Sequence, residues 1–244
     1  MACRFLVVLI LLLGTNRLPA QDTPPPQAPN PLPSLREVAP GILEYHGVRL
    51  DKKNHRISFP GTVNQREGLV EYLLVNEKGK IHESLFATKV LPRDIHLALL
   101  LIGLKDNAGA NPKDPVPPSA IDSAYLQAAP KLQGAPVLIS VTWTQDGKPR
   151  EAPAENWILN LKTNHPMTSG PWTYNGSMIE DGVFLADEEL SIVAVITDPT
   201  ALVNNPREGY NDDEIWQIRE DQVPPMDTPV EVSITLVQPA ADKP

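Results

Sequence analysis

Three ionisable side chains stand out as candidates for chemistry: His82, Glu83 and His96. Residues 81–87 read as an alternating strand, which sets Glu83 with Ile81, Leu85 and Ala87 on an apolar face and His82 with Ser84 and Phe86 on the other. A carboxylate turned into an apolar layer is costly unless it finds a partner, takes up a proton or binds something. A hairpin closed at Gly79 would bring Tyr72 opposite Glu83 as a donor. His96 falls in the first turn of an apolar helix. A metal centre would take His82 or Glu83 with His96 and a further acid. Against it, adjacent strand residues face opposite sides, and the spacing matches no two-histidine helical motif. A buried hydrogen-bond network explains the same residues more simply. General-base catalysis by Glu83 lacks a second group placed beside it.

A second cluster runs from Asp198 through Asn204, Asn205 and Arg207 to Tyr210, Asp212, Asp213 and Trp216. It is rich in oxygen ligands, yet it lacks the alternating acids and central glycine of a calcium loop. Asp198-Pro199 and Asn205-Pro206 open turns, so the plain expectation is a long surface loop closed by Asn side chains. Such a loop could also present Tyr210 and Trp216 to a partner. Trp143 and Trp157 fall on apolar strand faces and read as core. Trp172 and Tyr174, flanked by glycines, are the more open candidates for a glycan platform. Asn175-Gly-Ser177 matches the glycosylation triplet.

The elements that must position these residues are mostly strands. Val48-Arg-Leu-Asp51 and His55-Arg-Ile-Ser-Phe59 flank a turn at 52–54, and residues 68–75 and 80–88 flank a second at 76–79. Residues 92–104 are apolar around the whole circumference and predict a buried helix, with Pro92 and Asp94 in its first turn. Ser119 and Asp122 open a short second helix to Ala129. Alternation in 137–144 and 157–161, and apolar runs at 183–186, 190–196 and 230–237, complete the set. The expected fold is α+β: a mostly antiparallel sheet, sandwich-like or open, with one buried and one short helix.

Residues 1–20 have the shape of a secretory signal, with Arg4, an apolar run from Phe5 to Leu13 and Leu18-Pro-Ala20 at a cleavage edge. Residues 21–34 are a proline-rich spacer, residues 35–238 a single domain, and residues 239–244 a flexible tail. Cleavage would remove Cys3, the one cysteine. The mature chain would then hold no disulfide, no thiolate and no iron–sulfur cluster. Loss of Arg4 and Arg17 would take the formal charge from −9 to −11, which argues against nucleic acid as a partner. No cofactor is expected, and no span would remain in the mature chain. No phosphate loop, serine elbow or dinucleotide fingerprint is present.

Several short words recur in a known order: Val48-x-Leu-Asp-Lys with Ile57-x-Phe-Pro60, Leu69-Val-Glu-Tyr-Leu73, His82-Glu-Ser-Leu85, Ile95-His-x-Ala-Leu-Leu-Leu101 and Asp198-Pro-x-Ala-Leu-Val-Asn-Asn-Pro206. In these the chain resembles exported bacterial proteins carrying the YdjY domain, over roughly residues 47–238. The resemblance implies export and a single domain, with little implied about activity. Some members carry an iron–sulfur label, which a chain without a mature cysteine cannot share. The expected function is a non-catalytic binding or interaction domain of the bacterial envelope, periplasmic or extracellular, whose partner is an envelope protein or a small ligand. The alternative is a metal-dependent enzyme or metal-binding protein using His82, Glu83 and His96 with Asp212 or Asp213.

Overall fold

A computed structural model describes residues 35–105 and 131–238. The signal, the spacer, the short helix at 119–129, the tail and Cys3 lie outside the described residues. The chain forms β1 Arg36–Ala39, β2 Ile42–Tyr45, β3 Val48–Asp51, β4 Arg56–Val63, β5 Tyr72–Asn76, β6 Ser84–Thr88 and α1 Pro92–Leu101. There follow β7 Ala135–Gln145, β8 Lys148–Pro153, β9 Ile158–Asn160, β10 His165–Pro166, β11 Trp172–Tyr174, β12 Ile179–Glu180 and β13 Val183–Phe184. The last elements are α2 Leu185–Glu189, β14 Ser191–Ala194, β15 Val203–Asn204, β16 Trp216–Ile218 and β17 Pro229–Leu236.

Eight strands close a barrel in the order β4-β17-β7-β11-β15-β14-β5-β6, and β6 returns to β4 through Thr62↔Ala87 and Val63↔Phe86. The expected α+β open sheet or sandwich with a buried helix is therefore wrong: the described residues are mostly β, and the sheet closes on itself. Closure satisfies the edges that an open sheet would leave unpaired. It depends on β4 changing neighbours along its length. Its first three residues pair with β3 and its last two with β6, while β17 runs along its other edge. Ile57, Phe59 and Val63 of β4 point into the barrel with Val232 and Ile234 of β17 and Val137, Ile139 and Val141 of β7, all buried. The period-two alternation read from these strands holds. β1, β2 and β3 extend outward from β4, and β8 extends from β7.

Two neighbouring pairs break the antiparallel rule. β5 runs parallel to β6, and β14 parallel to β15. The hairpin expected at Gly79 is thus absent. Residues 77–83 instead turn straight back beside β5, ending in a 3-10 turn at Ile81–Glu83. Parallel neighbours usually need a crossover of a dozen or more residues, so these two short returns must be held by something else.

α1 lies across the barrel end where β4 starts. Ile95, Ala98 and Leu99 join the core, and His55, just before β4, meets the Ile102 carbonyl at 3.0 Å. The helix is not buried all round, because Leu97 and Leu101 stay more than 40 % exposed. Asp187 of α2 accepts the Arg93 backbone N–H at 2.8 Å and so caps the first turn of α1 from outside.

Gly61 sits where β4 passes from β3 to β6, and a Cβ there would lie 3.1 Å from the Ala87 carbonyl. Gly61→Val should overpack the closing seam and cost about 1–3 kcal/mol in a urea melt, with the β-rich circular dichroism retained.

Candidate functional site

The residues singled out in the sequence separate into three places. The first is a buried network on the two short returns. Asp198 is 2 % exposed. One of its carboxylate oxygens accepts the Tyr72 hydroxyl at 2.9 Å, and the other accepts the Thr200 N–H at 2.8 Å and its hydroxyl at 2.6 Å. Lys80, on the β5–β6 return, donates to the Tyr72 oxygen at 2.9 Å and pairs with Glu189 at 3.4 Å. Asn204 accepts the Asp198 N–H and donates to the Asp198 carbonyl and to Asn175, each at 2.8 Å. Asn205 donates to the Val195 carbonyl at 3.0 Å. The 198–205 segment is therefore interior, not the surface loop expected. Burial first, and the adjacent Asp198 carboxylate second, hold the Tyr72 hydroxyl far above its ordinary pKa, so it acts as a donor.

These contacts limit what the segment can do chemically. N–H and O–H groups point at both Asp198 oxygens, which suits a structural anion and opposes a cation at the same place. Asn175, in the glycosylation triplet, is fully buried with its amide donating to the Pro199 and Ala201 carbonyls.

The second place is the outer face beside this network. Glu83 lies in the 3-10 turn, partly exposed, not inside an apolar layer, and His82 is largely exposed. Their side chains approach to 3.7 Å, which a strand at this point would forbid. Tyr72 does not reach Glu83. Partial burial, then the charges of Glu83 and Asp213, push the Glu71 carboxyl above its usual range. Asp212 turns away to Lys162 at 2.6 Å, and that bond holds its carboxyl below the usual range. Trp216 is buried in β16 and donates to the Gly209 carbonyl at 2.8 Å, so it is not presented to a partner.

The third place surrounds His96. Its Nδ1 is 2.6 Å from the hydroxyl of the buried Tyr174, and its ring packs 5.0 Å from Phe184. Phe184 ends the β12–β13 hairpin, whose turn takes positive φ at Asp181 and Gly182 as its two-residue geometry requires. Between this hairpin, α1 and α2 lies a groove of about 640 Å³ lined by Leu91, Leu97, Ile179, Val183 and Phe184, with His96 in its wall. Ile179 and Val183 are 65 % and 45 % exposed. Sequence reasoning finds His96 but misses the groove, because its walls come from segments more than 80 positions apart. His96 and the His82–Glu83 pair do not meet. Among the described residues, no three His, Cys, Asp or Glu side chains gather so as to hold a metal ion. No described helix is long and apolar enough to cross a membrane.

The link between Arg207 and Trp172 through Glu155 escapes the sequence reading. Arg207, 11 % exposed at its side chain, pairs with the buried Glu155 at 2.8 Å, and Glu155 also accepts the Trp172 indole N–H at 2.9 Å. The Arg207 guanidinium lies 4.9 Å over the Trp172 ring. Trp172 and Tyr174 are both fully buried, which removes them as an open glycan platform.

Tyr72→Phe leaves an Asp198 oxygen without its donor and should cost about 1–3 kcal/mol in chemical denaturation. Glu71→Gln should raise Tm at pH 7.5. The folded state disfavours the Glu71 anion, so stability is lost as pH rises above the unfolded value near 4.3. The gain should vanish below about pH 4, grow as pH rises towards the raised folded value, and level off beyond it.

Comparison with curated proteins and with solved structures returns no match to either. One family model does match, that of the YdjY domain, across residues 48–235. It starts at β3 and ends within β17, so it takes in the whole barrel, both parallel returns and the groove beside His96. The chain belongs to the YdjY domain family.

Proposed function

We propose that this chain is an exported, non-catalytic binding domain that takes a small ligand with an apolar body in the groove beside His96. The observation that carries this reading is the contrast between two kinds of site. The side chains best suited to chemistry near Asp198 are consumed by internal bonds. Leu97, Ile179 and Val183 instead remain exposed around a recess of about 640 Å³. That volume lies within the ~300–1,000 Å³ of small-molecule sites, which are apolar with a few fixed polar groups. Here Tyr174 fixes the His96 ring, and the Arg93–Asp187 pair at 3.1 Å stands at the rim. Contiguous exposed apolar surface of this kind marks interaction sites in soluble proteins. Export is supported by the signal pattern of residues 1–20 and the proline-rich stretch after it.

Displacement of an environment-sensitive dye by medium-chain alkyl carboxylates and alkyl ammonium ions tests the proposal. Saturable displacement is expected. Val183→Asp and Leu97→Asp, both at exposed positions, should weaken it at least tenfold, equivalent to about 1.4 kcal/mol, with Tm unchanged. Glu83→Gln should leave it unaltered. Displacement indifferent to both groove substitutions would defeat the proposal.

A further inference from the structure

At the barrel end where β4 finishes and β17 begins lies a second cleft, of about 670 Å³. Its floor is aromatic. Trp157, buried, packs 4.8 Å from Phe86 of the core and meets Trp143 edge-on at 5.1 Å. Trp143, partly buried near the end of β7, is held upright by that contact. The indole N–H of Trp143 is buried and has no acceptor among the described residues. A buried donor without a partner is unfavourable, and native structures seldom leave one without a reason.

The walls are of a different chemistry from the groove beside His96. They carry the amides of Asn156 and Gln222, the carboxylates of Asp146 and Asp221, and the hydroxyl of Thr228. Among the described residues that line the cleft there is no Lys, Arg or His, so an anionic ligand would find two acids and no compensating cation. The walls are also fixed in advance. Arg219 donates to the Asn156 carbonyl at 2.7 Å, and Arg66 donates to the Glu220 and Val223 carbonyls at 3.2 and 3.4 Å. These bonds set the 219–225 loop before a ligand arrives, which lowers the ordering cost of binding.

We infer that this cleft binds a short neutral oligosaccharide. A sugar ring has an apolar C–H face and an equatorial rim of hydroxyls. The C–H face stacks on the exposed part of the Trp143 indole. The hydroxyls donate to Asp146 and Asp221 and exchange hydrogen bonds with Asn156 and Gln222, whose amides both give and accept. The sequence directs attention to Trp172 and Tyr174 for this role; the structure buries those two and leaves Trp143 at a polar mouth.

The test is titration of the full chain with chitotriose, maltotriose and cellotriose, followed by tryptophan fluorescence and saturation-transfer NMR, after a glycan array to choose the best neutral ligand. Saturable binding with sugar-ring protons saturated is expected. Trp143→Ala should weaken it at least tenfold. Should Trp143→Ala fail to fold, the wall variant Asp221→Asn/Gln222→Ala should give at least a threefold loss with Tm unchanged. Val183→Asp, in the other groove, should leave sugar binding as it was, so this site stands or falls separately from the alkyl-ligand reading. Absence of any neutral saccharide binding at millimolar concentration, binding only of anionic glycans, or wild-type affinity retained in both the Trp143 and wall variants would each overturn the assignment.

Discussion

The fold turns on one buried carboxylate. Asp198 sits on the return between two parallel strands, and the Tyr72 hydroxyl that it accepts comes from the neighbouring strand of the other parallel pair. Lys80, bonded to the same hydroxyl, belongs to the other return. Two connections too short for an ordinary crossover are thus tied to one another through a single phenol. Removing one partner would leave a buried polar atom without its hydrogen bond, a larger loss than that of an exposed ion pair. The Asn204 and Asn175 amides extend the tie to the end of β11, so β5, β15 and β11 share one hydrogen-bonded system.

Much of the local structure is legible in the sequence because it follows from period-two alternation. Ile57 and Phe59, or Val137, Ile139 and Val141, announce an inward face without any knowledge of their neighbours. Closure is not legible, since it rests on two residues of β4 meeting two of β6, and no local pattern encodes that meeting. The direction of β6 is hidden for the same kind of reason. Gly79 has the composition of a hairpin turn, but in the structure its missing Cβ makes room for Leu190, whose Cβ would otherwise lie 2.9 Å away. A glycine required by a distant contact looks the same in sequence as one required by a turn.

The candidate site shows the same division. Asp198, Asn204 and Asn205 group together in the sequence as they do in space, because they lie close in the chain. That they face inward depends on the sheet they pack against, so burial cannot be read from them. Extending the strand three residues too far puts Glu83 in an apolar layer, whereas the chain is still turning there. His96 is marked out by its helix, while the apolar walls around it arrive from β12 and β13. Polar clusters contiguous in sequence are therefore visible and their environment is not. Recesses assembled from separate segments, such as the cleft at Trp143, leave no local trace at all.

The three strands β1, β2 and β3 lie outside the closed ring and join it along the first half of β4. They are successive antiparallel hairpins, with β1 outermost and the chain entering at Arg36 opposite Glu44. Traction applied from the amino-terminal side would load the open mouth of the β1–β2 hairpin, so its rungs would separate in succession, as a zipper does. The ring, whose strands are bonded on both edges, would be spared. A domain hung by this end would carry a built-in mechanical fuse, extending under load while the barrel and its two recesses kept their shape.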